Sequence, residues 1–327
     1  PISSSVSHQL TQLYAAEQPL LREMVRDPDD KETASAWLPW EGVDLPFPPL
    51  LYAVCLKCAS ANLPEAVNVS LGLLDPSVGD AWLLCYDPPP YDTRSVGHAF
   101  RSCGPGVRGT CVRRRHTWEA GQPNKGKLLL WKEVLTPEHV VGYRWLALWD
   151  SDIRPASVFG RHFDFAQYVH AMNESVGVSQ PLLDPHDNYH WNTTAFNPQR
   201  HLPLDSRLFK GGLHGRAENA KVEQMCPVYS RRMWRCVWAF LSSHKEHQIS
   251  FGIGTMLHPI CEKLVGLHAY YVVQVVRHDD TNTLKQKHGN HSAERWSSCF
   301  YWKLYKDVAR RTGLGALRRP PSLPVQC

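Results

Sequence analysis

The stretch YRWLALWDSDIR, at residues 143–154, constrains the fold of this chain more than any other part of it. Its apolar portion, residues 145–149, has the length and composition of a strand that is buried inside a sheet. The run ends in Asp150 and Asp152, with Ser151 between them. Side chains two residues apart in a strand lie on the same face, so we expect the two carboxylates to point the same way.

Two neighbouring carboxylates repel each other unless a positive group lies between them. A hard divalent cation is the usual solution, because ions such as Mg²⁺ take one or two carboxylates together with substrate phosphate oxygens. The alternative is a solvated strand end with a helix-capping aspartate, which a pattern as short as Asp-x-Asp also fits. The buried strand before the two acids favours the metal site.

Composition argues against some classes of function. The chain has 327 residues, an ordinary globular composition and a net charge of +5, which suits an anionic small molecule or no particular ligand. Its basic residues are scattered apart from residues 113–115, which argues against a nucleic-acid groove. No apolar run approaches the ~20 residues of a membrane span. The sequence starts at Pro1, and no signal peptide is found there. Any attachment to a membrane is therefore expected only through an N-terminal anchor that has been trimmed from this sequence.

Cysteine usage favours a secretory compartment. The chain has ten cysteines, and its single Cys55-x-x-Cys58 pair lacks a second pair at zinc-finger spacing. Disulfides are expected, with buried thiols as the alternative. Four glycosylation sequons point the same way. They begin at Asn68, Asn173, Asn192 and Asn290. Together these features predict a luminal or extracellular domain, in the Golgi or elsewhere in the secretory pathway.

Apolar runs and helical patterns alternate along the chain. Strands are predicted at residues 50–56, 81–86, 145–149, 178–183 and 270–276, with helices at 63–74, 125–135, 163–176 and 231–242. This order predicts an α/β fold whose mixed, mostly parallel central sheet has helices on both faces. Residues 1–48 are interpreted as a stem helix and an extended arm, residues 49–285 as the main domain, and residues 286–327 as a basic tail.

Ligands of such sheets bind at the carboxyl ends of the strands. Asp87 follows the second predicted strand and is a candidate for this edge, although it also fits a turn before prolines. His186 and His190 have the i, i+4 spacing of a helical metal site. Pro185 makes a helix doubtful there, so His190 is assigned to a loop that lines the acceptor or sugar pocket.

Several blocks of sequence resemble the plant and algal family named domain of unknown function 707. They are NKGK…LWKEVLTP at 124–137, YRWLALWDSDI at 143–153, VSQPLLDP at 178–185 and KVEQMCPVYSRRMWRCVW at 221–238. The likeness runs in order from about residue 50 to 285. That family looks like glycosyltransferases of the GT-A fold, a Rossmann-like architecture found in many Golgi enzymes.

The resemblance implies a metal-dependent glycosyltransferase. Asp150 and Asp152 would hold Mn²⁺ or Mg²⁺ against the diphosphate of a nucleotide sugar, with His278, after the last central strand, completing the metal shell. The implied partners are a nucleotide-sugar donor, here expected to be a UDP-sugar, and a glycan or glycoprotein acceptor. Glu223 matches a family position and would be the catalytic base.

The remaining candidates are assigned to substrates. Lys125, Lys127 and Ser151 are expected to bind the nucleotide sugar, although the two lysines also fit an exposed, solvated pair. Gly252 and Gly254 are expected in the acceptor or sugar pocket.

At Gly254 the chain departs from the family, which commonly reads Gly-Leu-Asp where this sequence has Gly-Ile-Gly. The missing carboxylate leaves three possibilities open. They are a base at a different residue, a retaining mechanism that needs no such base, and an inactive module that binds a glycan or a protein. A hydrolase that uses the same two aspartates is a further alternative.

Overall fold

The computed structural model describes residues 49–56, 74, 78–85, 127–140, 142–158, 161–184, 208–210, 222, 224–241, 253–279 and 291–312. The predicted stem and arm, residues 1–48, lie outside these ranges. So do all but the last residue of the predicted helix at 63–74 and the loop that contains His190.

The described part contains ten strands and six α-helices. The strands are β1 Leu50–Leu56, β2 Gly79–Cys85, β3 Trp145–Asp150, β4 Ile153–Pro155, β5 Ser157–Val158, β6 Arg161–His162, β7 Val176–Leu183, β8 Leu208–Lys210, β9 Val228–Ser230 and β10 His268–His278. The helices are α1 Lys127–Val134, α2 Pro137–Val140, α3 Phe165–Ala171, α4 Arg231–Phe240, α5 His258–Val265 and α6 His291–Thr312. A π-helical turn, Ile253–Leu257, leads directly into α5.

The main sheet is mixed. Its order is β2-β1-β3-β9-β7-β10-β4, with β8 also paired to β10. The five longer strands run in one direction, but β4, β8 and β9 run against them, and β9 separates β3 from β7. The expected mixed α/β architecture is therefore present, whereas the expectation of a mostly parallel sheet holds only in part. Strand β9 has three residues, which is too short for a period-two pattern to reveal it.

Helices pack on both faces of the sheet. On one face, Phe165 at the start of α3 contacts Tyr52 of β1 and Trp149 of β3. On the other face, Tyr229 of β9 contacts Trp234 of α4 and the His258 ring of α5. Tyr229 pairs in register with Leu146, whose side chain lies on the opposite face of β3 from Trp149. Asp150, four residues after Leu146, therefore belongs to the α4 and α5 side.

Sequence patterns explain why the helix after β9 begins where it does. The Ser230 hydroxyl accepts a hydrogen bond from the Met233 N–H at 3.2 Å, which satisfies one of the open donors of the first helical turn. Met233, Trp234 and Val237 are fully buried, as their helical spacing predicts. The predicted helix at 231–242 is thus confirmed as α4.

The C-terminal region differs from the predicted basic tail. Residues 291–312 form helix α6, in which Phe300, Tyr301 and Tyr305 are buried in the core. Helix α6 packs against the π-helical turn and α5. Aromatic residues spaced along one side of a basic helix supply this buried face, while the basic residues lie between them. None of the described helices combines the length and the hydrophobicity that a bilayer crossing requires.

The described cysteines include both disulfides and thiols. Cys236 of α4 is bonded to Cys261 of α5, with a sequence separation of 25 residues. Cys299 is also disulfide-bonded. Cys55 and Cys226 are buried thiols, and burial raises the pKa of Cys55 to about 12. The expectation of disulfides is therefore met at Cys236 and Cys261, and the alternative of buried thiols is met at Cys55.

Replacing Cys236 and Cys261 together by alanine should lower the free energy of unfolding by about 3 kcal/mol, because the bond closes a loop of 25 residues in the unfolded chain. Urea unfolding under non-reducing conditions measures this difference. A Cys55→Ala variant, which removes a buried thiol but no crosslink, is the control. An unchanged unfolding free energy in the double variant would contradict the expectation.

Candidate active site at the carboxyl edge of the sheet

The two predicted acids lie at the end of a buried strand. Residues 145–149 of β3 are buried, and Asp150 at its end is half-buried. The chain then turns through Ser151 and Asp152 into β4. Because β4 pairs antiparallel with the end of β10, the turn lies beside His278, whose register partner is Ile153. The backbone oxygen of Asp152 accepts a hydrogen bond from the Asp279 N–H at 2.9 Å.

Asp150 is paired with a lysine. The Lys127 ammonium, at the start of α1, lies 2.8 Å from Asp150 Oδ1 and also donates to the backbone oxygen of Gln224 at 2.5 Å. Burial raises the pKa of Asp150, and the negative charge of Asp152 adds to that effect. Lys127 and His278 act in the opposite direction. Asp150, Asp152, Lys127 and His278 are therefore close enough to form one electrostatic unit.

Asp152 is paired with a histidine. Its Oδ2 atom lies 3.2 Å from His278 Nε2, and the His278 side chain is only 7% exposed. The Oδ1 atom of Asp152 is buried and has no hydrogen-bond partner among the described residues. A buried carboxylate oxygen without a partner is costly, so this atom is suited to a ligand from outside the protein.

A second cluster of charged side chains, formed by Arg154, Arg277 and Asp279, lies next to the turn. Arg154 and Arg277 are directly opposite each other in the β4–β10 register, which is unfavourable for like charges. The Asp279 carboxylate lies between them, 3.4 Å from Arg154 Nε and 2.6 Å from Arg277 Nε. Arg154 also donates to the backbone oxygen of Ser151 at 2.6 Å. This bridge fixes the turn that carries Asp152.

The residues present fit a divalent cation that is shared with a substrate. Within the described ranges, no three or more His, Cys, Asp or Glu side chains are grouped so that they could hold a metal ion. Mg²⁺ and ions like it do not require such a group, since they bind through one or two carboxylates together with phosphate oxygens. Asp150 and the unpartnered Oδ1 of Asp152 supply hard oxygen ligands of this kind.

The other predicted site residues divide into two groups. Ser151 and Gly254 are described: Ser151 is in the turn between the acids, and Gly254 is in the π-helical turn. The rest lie outside the described residues. These are Asp87, Lys125, His190, Glu223 and Gly252.

Sequence reasoning missed a buried polar group behind the site. The Tyr229 hydroxyl lies 2.8 Å from His258 Nε2 and donates to Gln224 Oε1 at 3.2 Å. All three residues are buried, and burial lowers the pKa of His258 to about 3, so its ring is neutral. The available sequence signal for this group was His258, a polar residue that directly follows the apolar pair Met256 and Leu257.

Taken together, the mixed sheet, its helices on both faces and the paired acids at its carboxyl edge define an α/β protein with an acidic strand-end site. The chain belongs to the family described as "Protein of unknown function (DUF707)", whose family model matches residues 119–311. This confirms the resemblance found in the sequence. A search among curated proteins finds no match.

The solved structures that are similar to the chain include two that cover most of its length. One is the mannosyltransferase PcManGT from Pyrobaculum calidifontis in complex with GDP-Man and Mn²⁺, with a TM-score of 0.44, 11% identity and coverage of 94% of this chain and 78% of that one. The other is glucosyl-3-phosphoglycerate synthase from Mycobacterium tuberculosis, with a TM-score of 0.43, 12% identity and coverage of 89% and 85%. Both TM-scores are below 0.5, so the functional argument rests on the side chains of this chain.

Acid should destabilise the protein through His258. The pKa of this ring is depressed in the folded state, so its stabilising contribution is complete above pH 6.5 and is lost as the pH falls toward 3. Between pH 7 and pH 5 the loss should be about 2 kcal/mol. Urea unfolding at several pH values measures it, and a His258→Gln variant, which does not titrate, should lose that part of the slope. Equal slopes in both proteins would contradict the prediction.

Proposed function

We propose that this protein is a metal-dependent glycosyltransferase. It moves a sugar from a nucleotide-sugar donor, expected to be a UDP-sugar, to a hydroxyl group of a glycan or glycoprotein acceptor. One observation carries the proposal: Asp150 and Asp152 both lie where a buried strand ends, and each carboxylate has its own basic partner. Such a pair is suited to a dication and, through it, to a diphosphate.

The chemical requirement of the reaction is the departure of a nucleoside diphosphate. A bound Mn²⁺ or Mg²⁺ would supply the charge neutralisation that this leaving group needs. Asp150 and Asp152 would hold the ion. His278 orients Asp152 through the contact between His278 Nε2 and Asp152 Oδ2. His278 is also the candidate for a third ligand of the ion, as a neutral imidazole.

The charges of the described part of this edge support an anionic donor. Four acidic side chains and three basic ones lie there. The acids are Asp150, Asp152, Asp184 and Asp279, and the bases are Lys127, Arg154 and Arg277. A dication would therefore leave the site with a surplus positive charge, which the diphosphate of a nucleotide sugar can balance.

The acceptor side depends on residues near β9. Glu223 is proposed as the base that takes the proton from the acceptor hydroxyl, and its neighbours Val222 and Gln224 are buried. A partly desolvated carboxylate has a raised pKa, which suits a general base. Asp87, Lys125 and Ser151 remain proposals for donor binding. His190, Gly252 and Gly254 remain proposals for the acceptor or sugar pocket.

We place this activity in the Golgi lumen or elsewhere in the secretory pathway. The Cys236–Cys261 disulfide and the four sequons support an oxidising compartment.

An inactive module that binds a glycan or a protein is the second candidate, and Gly254 is the observation that favours it. A Cβ atom at this position would lie 2.5 Å from the Val222 backbone oxygen, so the backbone there leaves no room for the carboxylate of other family members. A thermal-shift screen with and without Mn²⁺ distinguishes the two candidates. Stabilisation by a glycan, with none by any nucleotide sugar, would support the inactive module.

Asp152→Asn should abolish Mn²⁺-dependent turnover of the nucleotide sugar, with a loss of about 100-fold or more, because the amide cannot neutralise the ion. Release of nucleoside diphosphate measures this loss. Asp307→Asn is the matched control, since Asp307 is in α6 and pairs with Arg310. Turnover that survives in Asp152→Asn would reject the enzyme proposed here.

Lys127→Met should separate metal binding from turnover. Without the ammonium, Asp150 loses its competing cation, so Mn²⁺ alone should bind about fivefold more tightly. Turnover should nevertheless fall, because Lys127 is expected to help bind the diphosphate. Calorimetry and the release assay measure the two effects. Lys132→Met is the control, because that lysine is in the same helix but contacts the Trp238 ring.

A further inference from the structure

The chain before β9 runs alongside the end of β3. We call Val222 and residues 224–227 the lead-in segment. Its backbone oxygens receive three hydrogen bonds from the site: Leu148 N–H donates to Pro227, Asp150 N–H to Met225, and the Lys127 ammonium to Gln224, at 2.9, 2.8 and 2.5 Å. The position of this segment therefore determines where Lys127 can meet Asp150.

The other side of the lead-in segment is attached to the core by the Gln224 side chain. The Gln224 Oε1 atom accepts a hydrogen bond from the Tyr229 hydroxyl, which also contacts Nε2 of His258, the first residue of α5. The Gln224 Nε2 atom donates to the Val222 oxygen at 3.5 Å. Gln224 Nε2 also lies 3.4 Å from His258 Nε2, so Gln224 is linked to α5 both directly and through the Tyr229 hydroxyl.

Gly254 permits the same approach from the π-helical turn. An added Cβ atom would lie 2.5 Å from the Val222 oxygen, which is backbone and cannot move aside as a flexible side chain can. The nearest side-chain atom to that Cβ atom is Gln224 Nε2, at 3.9 Å. The close approach at Gly254 and the hydrogen bonds of Tyr229 and His258 therefore both act on Val222 and Gln224.

We propose that Gly254, Tyr229 and His258 are positioning residues that hold the lead-in segment against β3 and so fix the place where Lys127 neutralises Asp150. This inference rests on the proposed function, in which those two charged groups bind the metal and the diphosphate. None of the three positioning residues needs to touch a substrate. Among the contacts between the lead-in segment and the site, the one that involves a charged side chain is that of the Gln224 oxygen with Lys127, so we expect their effect on binding to pass mainly through Lys127.

A double-mutant cycle tests that route. Tyr229→Phe removes the hydroxyl that joins His258 to Gln224 but keeps the ring packed on Trp234. Binding of Mn²⁺ with UDP, measured by calorimetry, should weaken about fivefold in Tyr229→Phe. In the Lys127→Met background the same change should alter the affinity by less than about twofold, because the group through which Tyr229 acts is gone.

Tyr143→Phe is the matched control for the loss of a buried hydroxyl. Tyr143 donates to Asp80 at 2.8 Å, near the start of β2, at the opposite end of the sheet from Asp150. This variant should be less stable but should bind Mn²⁺ with UDP as the wild type does.

Gly254→Ala and Gly266→Ala form a second matched pair. Gly266 has a positive φ of 68° with no atom within 4 Å of its Cβ position, so alanine there strains the backbone without pressing on the lead-in segment. Both variants should lose stability. Only Gly254→Ala should weaken the binding of Mn²⁺ with UDP.

Additive effects of Tyr229→Phe and Lys127→Met on the affinity would overturn the inference, and so would equal losses of affinity in the two glycine variants. If the wild-type protein binds no nucleotide with Mn²⁺, the proposed function fails by itself. The cycle is then measured by urea unfolding of the metal-free protein. Unfolding midpoints that are not additive support the positioning role, and additive midpoints reject it.

Discussion

The structure depends on neutralising two acids that its own sheet brings together. Two like charges that are close together in a partly buried site repel each other, and a typical domain has only a small margin of stability to offset such a cost. Here each acid has a basic partner from a different part of the chain. Lys127, which precedes β3, pairs with Asp150, whereas His278, the last residue of β10, contacts Asp152. Helix α1, β3 and β10 therefore have to meet at one edge, and the sheet order brings them there.

Elements with a strong local pattern could be predicted from the sequence. The apolar run at 145–149 gave β3, the run at 178–183 lies within β7, and the β-branched run at 270–276 lies within β10. Ser230 followed by apolar residues at helical spacing located the start of α4. These patterns succeed because a buried strand or a capped amphipathic helix requires particular residue types at fixed spacing. The pair Asp150 and Asp152 was found for the same reason.

The contacts that complete the site could not be predicted, because they depend on tertiary approach. Besides Asp150, Lys127 donates to the backbone oxygen of residue 224, and every residue type has such an oxygen. The sequence therefore carries no signal for this contact. The need for glycine at 254 arises only because the Val222 oxygen lies against that position. Helix α6 was predicted as a basic tail, since its charged residues concealed an aromatic face that becomes apparent only against the core.

The charge pattern also explains how two acids can lie at one edge of the sheet without a bound ion. Because Lys127 and His278 each contact one carboxylate, the edge of the sheet does not need an ion in order to fold. Asp279 lies between Arg154 and Arg277 and offsets one of their two positive charges. A dication at Asp150 and Asp152 would disturb this balance, and an anionic substrate would restore it. On the proposed function, metal and nucleotide sugar should therefore favour each other's binding, since each compensates the charge that the other brings.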